Sequence, residues 1–339
     1  MKDSERILGI GVIGLGVGEQ LARAFHAHPH CEVRSLYDFD SERSRMLAAM
    51  LPGCAVAERF EEMLTNPRID VLTIATFDDA HYKQVLAALK AGKHVFVEKP
   101  VCRTIEELAD IKAEWLTQGR RLKLFSNLVL RTAPLYIWLR KQIRLGELGQ
   151  IYAFDGDYLY GRLHKITEGW RKDISDYSVM EGGGIHLLDL MMWLNGERPI
   201  SVTASGNHIC TSGTAFRYND FVAATFEFES GLIARITANF GCVHRHHHMM
   251  RVFGTQATFL YDDAGARLNY SRDSVLPAEQ LAHAPLPAHK GDLVLEFVSA
   301  ILNNAEESDQ TQMFFDSISA CIAADKAATT GKKERIEYL

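Results

Sequence analysis

The 339-residue sequence predicts an α/β protein, a doubly wound parallel sheet followed by a second domain in which strands succeed one another. Three observations carry this. Short apolar runs alternate with helical patterns through the first third, a glycine turn joins the first run to the first helix, and consecutive strand-like segments take over after about Phe125. At roughly 100–200 residues per domain the length suits two domains, 1–125 and 126–339.

The elements follow in order. Residues 7–13 read as a buried strand, Gly14-Leu15-Gly16-Val17-Gly18 as a turn, and 19–28 as a helix with Leu21, Ala24 and Phe25 at helical spacing. A strand over 32–38, a helix over 43–50, a strand over 70–76, a helix over 81–91 ended by Gly92, and a strand over 94–98 complete the alternation expected of parallel strands with right-handed crossovers. In the second domain, 134–145 is a helix, 145–149 a turn, 151–160 a strand and 185–194 a helix closed by Asn195-Gly196. Strands over 200–209, 220–229, 232–240, 247–253 and 257–262 come next. In 232–240 apolar residues alternate with Ile233, Arg235, Thr237 and Asn239, so one face is apolar and the other mixed. Residues 270–290 read as loop, and 292–302 and 311–329 as helices.

Composition narrows the function classes. Hydrophobic residues make up 47% and charged residues 24%, as in ordinary soluble domains. A net charge of −6 leaves no basic footprint for nucleic acid or an anionic membrane. No apolar run approaches the ~20 residues of a membrane span. The first strand follows the N-terminus at once, so no cleaved signal peptide is expected. Six cysteines lie far apart without a Cys-x-x-Cys pair, which predicts a reducing cytoplasm and no thiolate metal site.

The glycine turn sits between strand and helix, the context in which it means something. Small residues there let the backbone approach a pyrophosphate, and the helix start offers N–H groups and a positive dipole end. This assigns Gly14, Leu15, Gly16, Val17 and Gly18 to a dinucleotide. The spacing is G-x-G-x-G, with Glu19 at the usual third-glycine place; the earlier Gly9-x-Gly11-x-x-Gly14 lies inside the strand. Asp38 closes the second strand, where an acid accepts from ribose hydroxyls and repels a 2′-phosphate, favouring NAD over NADP. Glu98-Lys99-Pro100 ends the fourth strand at the carboxyl edge of the sheet. A lysine beside an oxidised nicotinamide has its pKa depressed and can take a proton from an alcohol as hydride leaves the carbon. Gly182-Gly183-Gly184 precede a helix whose first turn holds His186, suited to orienting a hydroxyl, with Asp189 three residues on.

Ile13-Gly14-Leu15-Gly16, Ala75-Thr76 with His81, Ala91-Gly92-Lys93-His94-Val95 running into Glu98-Lys99-Pro100, Trp170-Arg171, and the segment from Gly182 to Leu190 together resemble the Gfo/Idh/MocA oxidoreductases, across essentially the whole chain. The resemblance implies a Rossmann domain, then an α/β domain with a large open-faced, mainly antiparallel sheet that forms a homodimer or homotetramer. It implies sugar, polyol or cyclitol substrates. It also implies Lys99 and His186 as catalytic residues, and Ala75, Thr76, His81, Glu98, Lys99 and Asn127 among the cofactor contacts. Lys99, Arg131, Tyr158, Arg171, His186, Asp189 and His244 are expected at the substrate. The family's Asp four residues before the histidine is replaced by Gly182, and Glu181 stands one residue earlier. The His-rich run 244–248 suggests imidazole ligands, but no acidic or cysteine partner lies at ligand spacing, so no metal is expected.

An NAD-dependent dehydrogenase acting on a secondary hydroxyl is the function expected. Its rivals are a lyase or glycosidase that oxidises its substrate transiently and regenerates the cofactor, and a regulator that binds NAD and sugar without turnover.

Overall fold

The computed structural model describes residues 6–303 and 308–339. The chain forms two compact units, one built from residues up to Val129 with Ala288–Phe315 and Leu339, the other from Leu130–Pro287 and Asp316–Tyr338.

The first unit contains β1 (Leu8–Ile13), α1 (Gly18–Ala27), β2 (Cys31–Tyr37), α2 (Ser41–Ala48), β3 (Ala55–Val56), α3 (Glu61–Thr65), β4 (Val71–Ile74), α4 (Asp78–Lys90), β5 (His94–Val97), α5 (Ile105–Thr117) and β6 (Leu124–Ser126). The six strands are parallel in the order β3-β2-β1-β4-β5-β6. All six residues of β1 are buried, as a parallel strand covered on both faces requires. Strand order reverses between β1 and β4, and there the carboxyl ends of a doubly wound sheet leave a ligand crevice. Phe25 of α1, Phe96 of β5 and Phe125 of β6 converge on Phe297, with ring centroids 5.2 to 6.3 Å apart.

The sequence reading overlooked α5. Its start is nonetheless written in the chain: the Thr104 hydroxyl accepts from the Glu107 amide at 3.2 Å, and the Glu107 carboxylate accepts from the Arg103 amide at 2.9 Å.

The rest of the chain forms α6 (Pro134–Arg144), β7 (Ile151–Leu159), α7 (His164–Thr167), α8 (Ile185–Asn195), β8 (Ser201–Asn207), β9 (Phe221–Glu227), β10 (Ile233–Asn239), β11 (His247–Gly254), β12 (Thr258–Asp262), β13 (Gly265–Asn269), β14 (Glu279–Leu281), α9 (Leu293–Leu302), α10 (Ser308–Thr330) and β15 (Glu334–Arg335). Nine of these strands make one sheet, β14-β13-β12-β11-β7-β10-β9-β8-β15. It is antiparallel except where β7 runs parallel to β10. Alternation works as read: Ala234, Ile236 and Ala238 are fully buried. The other face carries Arg235 and Arg251 against Asp155 and Asp157 at 3.1 to 3.7 Å.

Residues 270–290 are not loop throughout. Three of them form β14 against β13, with Gln280 opposite Arg267. That short edge strand is imposed by its neighbour's open backbone groups, a long-range cause that no local pattern displays.

Candidate active site

In the first unit the glycine turn follows β1 directly. Gly14 has φ +79°, and a Cβ there would stand 2.5 Å from the Ala75 carbonyl oxygen, so only glycine passes this close to β4. At Gly16 a Cβ would meet nothing within 4 Å, which leaves the turn open on that side. Gly18 is the first residue of α1 and lies against Ala75 and Val12, contacts that a Cβ would tighten to 3.2 and 3.3 Å. It therefore does the close helix–strand packing assigned elsewhere to the third glycine of G-x-G-x-x-G. No side chain caps the start of α1.

Asp38 is buried just beyond β2. Its carboxylate accepts from the Leu15 amide at 2.5 Å and from the Asp40 amide at 2.9 Å, and Arg43 stands 3.9 Å away. The acid thus fixes the glycine turn. Phe39 and Phe77 follow the ends of two strands, 78% and 41% exposed, with ring centroids 5.9 Å apart. An adenine fits such an apolar pair. Sequence reasoning passed over both, although an aromatic directly after the strand-end Asp38 was a visible signal.

Thr76 donates its hydroxyl proton to Gln84 at 2.7 Å. His81 is fully buried, with Nδ1 2.7 Å from the Pro100 carbonyl oxygen and Nε2 3.3 Å from that of Thr76. It ties the end of β4 to the segment after Lys99. Asn127 donates to the Glu98 carboxylate at 2.6 Å and to the Lys290 carbonyl at 3.2 Å. Glu98, Lys99 and Asn127 therefore gather at the carboxyl ends of β5 and β6, with Lys99 half-buried.

In the second unit the glycine run forms a wide π turn, Met180–Gly184, that flows into α8. Such turns recur at functional positions. A Cβ at Gly183 would lie 2.3 Å from the Tyr158 ring, so the glycine lets the sheet aromatics press against the turn. Tyr158 stacks on His186 with centroids 6.1 Å apart and planes 22° apart. His246 and His248 both meet the Tyr158 ring edge-on at 5.2 Å, and Phe240 packs 5.7 Å from it. Burial, with His246 and His247 nearby, pushes the His248 imidazole down to about 3, so it stays neutral.

His244 lies elsewhere. Its Nε2 is 2.9 Å from the Asp263 carboxylate, which holds its pKa above the ordinary value, and its ring contacts His247. His246 and His248, rather than His244, reach Tyr158.

Arg131 and Asp189, both expected at the substrate, are buried against each other with side chains 3% and 1% exposed. Arg131 Nε donates to Asp189 at 2.7 Å, a second guanidinium N–H reaches the other oxygen, and Ser317 donates to the same carboxylate at 2.9 Å. Arg171 lies over the Trp170 ring, 4.4 Å from its centroid, and donates from Nε to the Tyr177 hydroxyl at 3.0 Å. Among the described residues no group of three or more His, Cys, Asp or Glu could hold a metal ion, and no helix is long and apolar enough to cross a membrane.

Fold and turn define a dinucleotide-binding α/β protein with a second unit built on a large mixed sheet. Residues 8–125 match the oxidoreductase family with an NAD-binding Rossmann fold, and 136–260 match the GFO/IDH/MocA C-terminal domain; the chain belongs to this family of NAD-binding oxidoreductases. It is 27% identical over 317 residues to 1,5-anhydro-D-fructose reductase of Ensifer adhaerens, covering 90% of this chain and 91% of that one. It is also 27% identical over 241 residues to 2,7-anhydro-N-acetylneuraminate hydratase of Escherichia coli, covering 68% of this chain and 61% of that relative. Levoglucosan dehydrogenase in complex with NADH shares the fold, with TM-score 0.86 and 19% identity over 98% of this chain and all of that one.

Proposed function

We propose that this chain is an NAD-dependent dehydrogenase or reductase acting between a secondary hydroxyl and the matching ketone of a sugar, cyclitol or sugar derivative. One observation carries it: the open glycine turn, braced by Asp38, lies at the switch point of a β3-β2-β1-β4-β5-β6 sheet whose next strand ends in Glu98-Lys99.

The first unit fits NAD. Backbone amides from Gly14 to Gly18 and the start of α1 would hold the pyrophosphate, Asp38 the ribose, and Phe39 with Phe77 the adenine. Ala75, Thr76, Glu98 and Asn127 surround the same carboxyl edge, with His81 behind them. When bound, the nicotinamide supplies the hydride acceptor or donor. Lys99 exchanges the proton of the substrate hydroxyl at Nζ. His186, held flat against Tyr158, is suited to orienting a hydroxyl. Arg171 is fixed by Trp170 and Tyr177 and offers N–H donors to a substrate oxygen. Arg131 and Asp189 support α8 from inside, and the relatives' names favour anhydrosugars.

The mixed face of the large sheet, with Tyr152 and Ile233 exposed beside its ion pairs, suits contact with a second copy of the chain. The six cysteines are unpaired, in keeping with a cytoplasmic location.

The test is turnover followed by nicotinamide absorbance, using NADH with 1,5-anhydro-D-fructose and NAD with levoglucosan or myo-inositol. Net cofactor conversion with at least one supports a dehydrogenase. Substrate consumption without net conversion supports transient oxidation with internal recycling instead.

A further inference from the structure

At the amino-terminal edge of the first unit's parallel sheet, the edge opposite the glycine turn, lies a cavity of about 490 Å³. Arg6, His94, Arg121, Leu122, Ile301 and Leu302 are among its walls. Arg6 precedes β1, His94 begins β5, Arg121 and Leu122 precede β6, and Ile301 and Leu302 end α9. The volume suits a small molecule.

The walls are unevenly charged. Arg6 donates to Asp70 at 3.0 Å, and the other Asp70 oxygen accepts from the Gly9 amide at 2.8 Å, so the Arg6 charge is balanced. Arg121 has no ion pair among the described residues. Its Nε donates to the Gln118 carbonyl at 3.2 Å, which leaves both terminal amino groups of the guanidinium to a ligand. His94 adds a neutral donor. Its Nδ1 accepts from the Lys123 amide at 2.9 Å, which puts the ring proton on Nε2, an atom with no hydrogen bond among the described residues. Burial, with the Arg6 guanidinium nearby, pushes this imidazole down to about 4; Lys123 acts in the same direction and Asp70 in the other. Lys123 is not a lining residue, and neither is Glu114, which accepts from the Gln118 side-chain amide at 2.8 Å.

The cavity thus offers one unbalanced positive charge, one imidazole N–H and three apolar side chains. Gln118, which caps the carboxyl end of α5, also lines it, and the partial negative charge of a helix end opposes a second negative charge on a ligand. A carboxylate matches the fork of a guanidinium, whereas a phosphate dianion brings more charge than these walls balance.

We propose that this cavity is a second binding site, for a small monocarboxylate with an apolar chain. Arg121 pairs with the carboxylate, His94 Nε2 donates to it, and Leu122, Ile301 and Leu302 cover the chain. The site is separate from the carboxyl edge where Asp38 and Lys99 lie, and it does not depend on the oxidoreductase assignment.

The test is calorimetric titration of the full chain with hexanoate as the probe, with and without NADH, and with inorganic phosphate and hexan-1-ol as comparisons. The expected result is saturable binding of hexanoate at one site, unaffected by NADH and tighter than that of either comparison. Arg121→Gln, at an exposed position, should weaken hexanoate by about 10- to 100-fold, the scale of charge-assisted hydrogen bonds, with the melting temperature kept. Leu302→Glu sets a carboxylate in the apolar wall and should weaken it at least as much. Hexanoate affinity within about twofold of wild type in Arg121→Gln overturns the proposal. So does wild-type protein that binds no hexanoate, that binds phosphate or hexan-1-ol more tightly, or that releases hexanoate when NADH is added. Each of these results leaves the oxidoreductase assignment standing.

Discussion

The carboxylate of Asp38 accepts a hydrogen bond from the backbone amide of Leu15 at 2.5 Å, so the acid that closes one strand fixes the loop that leaves its neighbour. One side chain thereby shapes the glycine turn and places negative charge at the end of β2, where the proposed function puts the ribose. Asp38→Ala should weaken NAD binding by about 10- to 100-fold, since two amides lose their acceptor, and should shift preference toward NADP, with Arg43 only 3.9 Å from the lost carboxylate. Titration with both cofactors checks this. An unchanged ratio of affinities would remove Asp38 from cofactor choice.

Arg131 and Asp189 make a different kind of prediction. Both are buried and bonded to each other, and removing one partner of such a pair strands the other charge at a cost of about 3–5 kcal/mol. Asp189→Ala should lower the melting temperature by roughly 10 °C. Replacing both residues with apolar ones of similar size should recover much of the loss. A change in KM at unchanged melting temperature would instead put the pair at the substrate.

Asp325 gives the fold a pH dependence. Burial pushes its carboxyl from 3.8 up to about 7, while the Ser178 hydroxyl donates to it. A carboxyl whose pKa is raised on folding stabilises the folded state below the unfolded value, and this contribution is lost as pH rises through the folded value. Wild-type stability should therefore decline between about pH 4 and 7 relative to Asp325→Asn, which keeps an acceptor for Ser178 and carries no charge. Melting curves over this range check the sign; parallel curves for the two proteins would refute it.

The first unit was legible because parallel strands buried on both faces must be continuous apolar runs, and because the glycine turn and Asp38 advertise a requirement of the backbone itself. The second unit was legible where alternation survives, as in β10. What escaped depends on pairing across the chain. Asp189 looked like a partner for substrate because it lies three residues after His186, but its true neighbours are Arg131 and Ser317, set by how α8 packs. His244 and His246 share one parity in sequence, but both lie in the bent segment before β11, and that irregular backbone sends His244 to His247 and His246 to Tyr158.

The central claim is that the Lys99 amine handles the proton of a substrate alcohol beside a bound nicotinamide. It is tested most directly by comparing Lys99→Ala with wild type in turnover and in NADH affinity. Turnover lower by about a thousandfold with NADH affinity within a few fold is the predicted result, on the scale of a lost general acid or base. Turnover equal to wild type in the alanine variant would contradict the account.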